Sequence, residues 1–381
     1  MEWGIFILLA AFFVSYANGA NDNFKGVATL LGSHTTNYKK AIGWATITTM
    51  AGSLTALFWA EKLIKTFSGK GLVPDELTTN PEFLLAVAAG ASITILMATL
   101  TGIPISTTHS LMGALVGAGL IATNNKLELG ALEKGFLFPL LCSPIISIIL
   151  TAMIYPVFKF FRQRLGVDSN TCLCLREKII PVPALLMANG HVVSTEELRG
   201  LDIYIDEKEA CELKVTNRYT GQILGIDAQK ILGLFHFLSA GAVSFARGLN
   251  DTPKIVAIAV AAGMLGIKIN MVLVGVAMAV GGLLSAKKVA RTVSFKITGM
   301  NHGQGFTANL ITALLVILAS RLGMPVSTTH VSCGTLFGLG LVNGQAHWKT
   351  IFGIVGAWVL TLPMAAIFSG GFYYLFQKIG L

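Results

Sequence analysis

Two hydroxyl-rich hexapeptides could do chemistry in this chain: Pro104-Ile105-Ser106-Thr107-Thr108-His109 and Pro325-Val326-Ser327-Thr328-Thr329-His330. Proline stops one helix and suits the first turn of the next. Ser and Thr directly after it are capping residues and supply hydroxyl donors. Free N–H groups at such a helix start carry partial positive charge and hold anions. If the copies meet, two helix starts and six hydroxyls, from Ser106, Thr107, Thr108, Ser327, Thr328 and Thr329, face one small oxyanion. A single copy would read better as hydroxyls bonding back to helix carbonyls. The matched pair turns the reading toward a binding site. His109 and His330 could donate to the anion or relay protons; a hydrogen bond that fixes the local fold is the better reading.

A second pair lies upstream of the hexapeptides. Asn21-Asp22 and Asn250-Asp251 each have a lysine three residues after the Asp, Lys25 and Lys254. A carboxylate in an apolar span is costly and needs a partner. Gly19 and Gly248 precede the pairs, and a glycine there loosens the helix and frees carbonyl oxygens, so each half reads as a helix, an Asn-Asp break and a further helix. Carboxylate, amide oxygen and freed carbonyls make an all-oxygen site for a hard monovalent cation. The plainer alternative is a local i,i+3 ion pair with each lysine. Both can hold, with Lys25 and Lys254 drawing in the anion and returning to the Asp.

These residues must be positioned by membrane helices. Of 381 residues 54% are hydrophobic and only 12% charged, against about 25% charged in soluble proteins. Apolar stretches at 3–17, 41–60, 83–103, 109–122, 136–158, 231–246, 255–286, 306–320, 331–342 and 350–376 predict a polytopic all-α membrane protein. Some are short or broken, which suits discontinuous helices. The N-terminus has no basic segment before its apolar run and is read as a retained helix. The +9 charge sits at helix ends and in one loop, so it argues for the positive-inside rule and against nucleic acid. The five cysteines show no zinc spacing and read as reduced thiols. No nucleotide loop, metalloprotease motif or nucleophile elbow is present, so the chain reads as a non-enzyme with no cofactor, driven by an ion gradient.

The composition shifts near 160 and again near 229. Residues 1–160 and 229–381 read as two transmembrane repeats around a small cytoplasmic insert, 161–228, which includes strand-like alternation at Leu201-Asp202-Ile203-Tyr204-Ile205 and Leu213-Lys214-Val215. An outside start with three net crossings inverts the second repeat. It puts Lys39, Lys40, Lys287, Lys288, Arg291 and Lys296 inside. Lys62, Lys65 and Lys70 then fall outside, against the rule, near Glu61, Asp75, Glu76 and Glu82. The glycines after each hexapeptide (Gly113, Gly117, Gly119; Gly334, Gly338, Gly340) read as a close-packing face.

Gly19-Ala20-Asn21-Asp22 together with Pro-x-Ser-Thr-Thr-His, each kind in both halves around a loop, resembles the inorganic phosphate transporter (PiT) family. The resemblance covers both membrane halves and not the insert. It implies inverted-topology repeats with broken helices, two re-entrant helical hairpins, a homodimer in the cell (plasma) membrane, and sodium- or proton-coupled phosphate symport. Carried over by position, the phosphate site would use the six hydroxyl residues and the cation sites Asn21, Asp22, Asn250 and Asp251. The family's animal members have glutamates where Thr49 and Asn309 stand here. Their loss favours sodium over protons and suggests Thr49 and Asn309 as neutral sodium ligands. The expectation is sodium-coupled phosphate import by alternating access, with phosphate and sodium as cargo in the bilayer. Proton-coupled phosphate symport and a sulfate permease of the same fold are the alternatives.

Overall fold

The computed structural model describes residues 2–59, 61–69, 71–124, 126–164, 171–180, 198–207 and 224–379. The chain divides into two units, Met1–Pro156 with His236–Leu381, and Val157–Phe235. The helices in chain order are α1 (Glu2–Asp22), α2 (Ala28–Gly32), α3 (Tyr38–Trp59), α4 (Glu61–Phe67), α5 (Pro81–Thr101), α6 (Thr107–Ala122), α7 (Leu129–Leu132), α8 (Phe138–Arg164), α9 (Ala228–Ala261), α10 (Ile267–Ser285), α11 (Lys287–Phe295), α12 (His302–Leu322), α13 (Thr328–Asn343) and α14 (Trp348–Ile379). Among the described residues, eight helical segments are long and apolar enough to cross a membrane. The chain is a multi-pass membrane protein.

The second unit holds the strands β1 (Thr171–Ile180), β2 (Leu198–Glu207) and β3 (Leu224–Asp227), in the antiparallel order β2-β1-β3. The alternation at 201–205 falls in β2, where Ile205 pairs with Leu173 and Ile203 with Leu175. The second alternating stretch, 213–215, lies outside the described residues.

Two helix–link–helix units carry the hexapeptides, and they are built alike. α5 ends at Gly102 and α12 at Gly323, both left-handed, with φ of 76° and 75°. Only glycine adopts that conformation without penalty, and it is a common way to stop a helix. The next N–H folds back, Ile103 to the Ala98 carbonyl and Met324 to the Ala319 carbonyl, each at 2.9 Å. Short links then lead to α6 and α13, each of 16 residues. At 1.5 Å per residue such helices are about 24 Å long, short of the roughly 30 Å hydrocarbon core.

Three readings of the sequence change here. The stretch 255–286 is not one segment: it divides between α9 and α10, at a turn where Gly263 has φ of 69°. Asn250-Asp251 makes no break, because α9 runs through it with Pro253 inside the helix. In the first half the helix does stop, at Asp22, and resumes after a short 3-10 turn at Lys25–Val27.

The third change concerns Gly19 and Gly248, which pack helices rather than free carbonyls. The Gly19 carbonyl is already held by the Asn23 N–H at 3.0 Å. A Cβ on Gly19 would lie 1.9 Å from the Met278 carbonyl oxygen, and one on Gly281 2.0 Å from that of Tyr16. The second half repeats the crossing: a Cβ on Gly52 would meet the Phe245 oxygen at 2.0 Å, and one on Gly248 the Thr49 oxygen at 2.1 Å. α1 against α10 and α3 against α9 are therefore backbone-to-backbone contacts that only hydrogen permits. Gly19→Val is expected to lower the folded fraction in detergent, with about 3 kcal/mol lost, at the upper end for overpacking a tight interface. Thermal unfolding of the solubilised protein reads this, and an unchanged transition would remove the packing argument. The glycines after the hexapeptides pack in the same manner: Gly117 abuts the Ala366 carbonyl of α14 and Gly338 the Ile148 carbonyl of α8.

Candidate functional site

The starts of α6 and α13 are matching structures. Ser106 and Ser327 cap them with φ, ψ of −96°, 115° and −96°, 117°. Their hydroxyls accept from the N–H of His109 and His330 at 3.1 and 3.2 Å. The N–H groups of the first turn have no intrahelical acceptor. The two hexapeptides also touch. The Thr329 hydroxyl donates to the Ile105 carbonyl at 2.9 Å, and the Thr108 hydroxyl to the Val326 carbonyl at 3.3 Å. Each copy thus closes onto the link of the other.

The lysines strengthen this exchange. Lys25 Nζ contacts Asp22 and lies 2.8 Å from Asn21 Oδ1, 2.8 Å from the Ile105 oxygen and 2.6 Å from the Thr329 hydroxyl. Lys254 Nζ lies 2.7 Å from the Thr108 hydroxyl, 2.8 Å from the Val326 oxygen and 3.4 Å from Asp251 Oδ1. Each lysine keeps its own Asp and reaches the third hydroxyl of the opposite hexapeptide. The remaining threonines face the carboxylates. Thr107 donates to Asp22 Oδ2 at 3.0 Å and Thr328 to Asp251 Oδ2 at 3.4 Å.

The asparagines clamp the links. Asn21 Nδ2 donates to the Thr99 hydroxyl at 3.0 Å and to the Ile103 carbonyl at 3.1 Å, while its Oδ1 accepts from the Ile105 N–H at 3.1 Å. Asn250 Nδ2 donates to the Val326 carbonyl at 3.1 Å, and its Oδ1 accepts from Ser320 at 3.2 Å.

Arg247 breaks the symmetry. It stands where Asn18 stands in the first half, and the two side chains meet. Nη2 donates to Asn18 Oδ1 at 2.5 Å, Nη1 to Asn23 Oδ1 at 2.9 Å, and Nε lies 3.6 Å from Asp251 Oδ2. Asn18 Nδ2 in turn reaches Thr107 at 2.9 Å and lies 3.2 and 3.3 Å from the carboxylates of Asp22 and Asp251. Sequence reasoning passed over Asn18 and Arg247. An arginine inside an apolar span was the available signal.

Among the described residues, five charged side chains are buried: Asp22, Lys25, Arg247, Asp251 and Lys254, none more than 5% exposed. Three cations face two carboxylates. A buried surplus of one positive charge is costly without a counter-charge.

Thr49 and Asn309 stand apart from the carboxylates. Thr49 donates to Asn23 Oδ1 at 3.2 Å and joins the cluster only through Asn23 and Arg247. Asn309 pairs with Thr29 at 3.0 Å and Ser239 at 3.2 Å. Neither bonds Asp22 or Asp251 among the described residues. Among the described residues no side-chain hydrogen bond joins either imidazole to the hydroxyls. His109 and His330 pack on each other with ring centroids 4.5 Å apart, and His330 lies 4.0 Å from the Trp358 ring. Trp358 Nε1 donates to the Pro104 carbonyl at 3.2 Å.

A multi-pass helical protein with a buried, cationic, hydroxyl-lined centre has the construction of a membrane transporter for a small anion. The chain belongs to the phosphate transporter family, whose profile matches residues 18–369. A chain of Pyrococcus abyssi named as a phosphate permease is 28% identical over 414 aligned positions, covering 99% of both. An inorganic phosphate transporter of Arabidopsis thaliana chloroplasts is 27% identical, covering 98% of this chain and 72% of that one. A solved structure titled as the sodium-dependent phosphate transporter has a TM-score of 0.75 over the full length of both chains at 22% identity, so the fold is shared.

Proposed function

We propose that this protein imports inorganic phosphate with sodium ions by alternating access, with the anion held where the two hexapeptides meet. The observation that carries the reading is the buried surplus of positive charge among the hydroxyls and helix starts of both halves. Ser106, Thr107, Thr108, Ser327, Thr328 and Thr329 supply donors to phosphate oxygens. Lys25 and Lys254 turn from their carboxylates to the anion when it arrives. Asp22 and Asp251, with the amide oxygens of Asn21 and Asn250, are then open to sodium. Each cation that enters favours the anion and each anion favours the cations, since the coupling is reciprocal. Thr49 and Asn309 contribute as neutral oxygens at the edge of this region. Sodium and phosphate are cargo, and no resident cofactor enters the scheme.

Inverted repeats and re-entrant hairpins belong to the same reading. The like-built caps, the reciprocal glycine crossings and the helices too short to span support it. The basic α11 marks the cytoplasmic side. The homodimer and the plasma-membrane placement are carried by the family resemblance.

The test is phosphate uptake into proteoliposomes under a sodium gradient or a proton gradient alone. Concentrative uptake is expected with sodium, and its loss in Asp22→Asn and in Asp251→Asn. Uptake with protons alone would make the two carboxylates proton carriers. Full sodium-dependent uptake in both variants would remove them from the mechanism.

A further inference from the structure

A cavity of about 620 Å³ opens between α1, α5, α10 and α11, away from the hexapeptide contact. Its rim carries Lys287, Lys288 and Arg291, all exposed. Among the described residues no carboxylate lies within 4.0 Å of any of the three. Lys288 Nζ is held at 2.8 Å by the Leu100 carbonyl at the end of α5. Inside the rim the wall is apolar except for the hydroxyls of Tyr16 and Ser285, which share a 2.7 Å hydrogen bond, and that of Thr99. Thr99 is 4% exposed, and its hydroxyl accepts from Asn21 Nδ2, whose Oδ1 accepts from Lys25. One amide therefore separates the lining of the cavity from the ammonium group at the centre of the protein.

We propose that this cavity is a second site for a phosphate group, a vestibule on the α11 side that holds the anion between bulk water and the Asn21–Lys25 centre. Three unpaired cations at a low-dielectric mouth raise the local anion concentration. Further in, the Tyr16–Ser285 pair keeps one O–H free to donate to a phosphate oxygen, while the Thr99 hydroxyl donates to the Ile95 carbonyl and links the wall to Asn21. Phosphate transport through the central site is the premise. The phosphate group can be free inorganic phosphate or the head of an anionic lipid, since exposed Leu100 and Leu284 flank the mouth.

The experiment compares wild type with the triple variant K287Q/K288Q/R291Q in proteoliposomes of neutral lipid and of mixed neutral and anionic lipid. These side chains are exposed and lie outside the central site, so uptake at saturating phosphate should persist and reports on the central site separately. In neutral vesicles the variant should lose about tenfold in the flux of subsaturating phosphate presented on the α11 side, read as efflux or counterflow, at low ionic strength. The wild-type flux should fall with added salt and the variant's should not. That pattern assigns the vestibule to free phosphate. A difference confined to vesicles with anionic lipid assigns it to a lipid head. Equal flux and equal salt dependence in both kinds of vesicle would overturn the proposal, while intact saturable uptake left the central site standing.

Discussion

Lys25→Met is expected to reduce phosphate uptake by about a hundredfold or more, as losses of 2–5 kcal/mol attend truncation of one partner in a buried charge pair. Two effects combine in that loss. Asp22 keeps Asn18 and Thr107 but loses its ammonium partner, and an uncompensated buried carboxylate destabilises by about 3 kcal/mol or more. The opposite hexapeptide also loses the ammonium that touches both Thr329 and the Ile105 carbonyl, leaving only their direct hydrogen bond. The double variant Lys25→Met/Asp22→Asn separates them. It removes one charge of each sign, so the buried surplus stays at one positive charge, carried by Arg247 and Lys254 against Asp251. The double variant should recover the thermal stability of wild type and still fail to transport. If it transported well, Asp22 would not be a required sodium ligand, Lys25 would matter only as its neutraliser, and the crossing from one half to the hydroxyls of the other would be incidental; Lys25→Met measured beside Asp22→Asn alone assigns the remaining loss to each. The mirror pair Lys254→Met and Lys254→Met/Asp251→Asn should behave alike, with a smaller stability loss, because Asp251 also has Arg247 beside it.

The polar centre was readable from sequence because its residues are out of place in apolar spans. Nothing in a bilayer tolerates Asn-Asp-x-x-Lys without a partner, and two like hexapeptides point at each other by symmetry. What the sequence could not show was which partner each group takes. Spacing offers Lys25 only its neighbour Asp22; the contact with Thr329, 304 positions away in the chain, exists only once the halves pack. Glycine was misread at Gly19 and Gly248 for a related reason. A glycine beside a polar pair can loosen a helix or admit another backbone, and only the neighbour decides. Asn250-Asp251 looked like a helix break by analogy with Asn21-Asp22, yet Pro253 sits within an unbroken α9. The glutamate-to-neutral reading of Thr49 and Asn309 came from the family resemblance. The structure pairs Thr49 with Asn23 and the Ser244 carbonyl, and Asn309 with Thr29 and Ser239, at a distance from the carboxylates.

Arg247→Met should lower phosphate uptake by about ten- to a hundredfold, and Arg247→Lys should not restore it. Methionine removes the surplus positive charge, leaving two lysines against two carboxylates, so the resting centre gains neutrality and loses its pull on an anion. Asp251 retains Lys254, which limits the damage to folding. Lysine tests whether charge alone is at stake. A guanidinium reaches Asn18, Asn23 and Asp251 at once through three nitrogens. One ammonium on a flexible stem cannot span that set. Arg247→Lys restores the surplus charge but releases Asn18, whose amide bridges both carboxylates and Thr107. Uptake at low and at saturating phosphate resolves the two roles. If charge alone matters, Arg247→Lys recovers the wild-type half-saturation and Arg247→Met does not. If Arg247 acts by positioning Asn18 between the halves, both variants stay impaired at saturating phosphate. The second outcome is expected, because Arg247 is the charge that the first copy of the kit lacks, and it is seated where the copies meet.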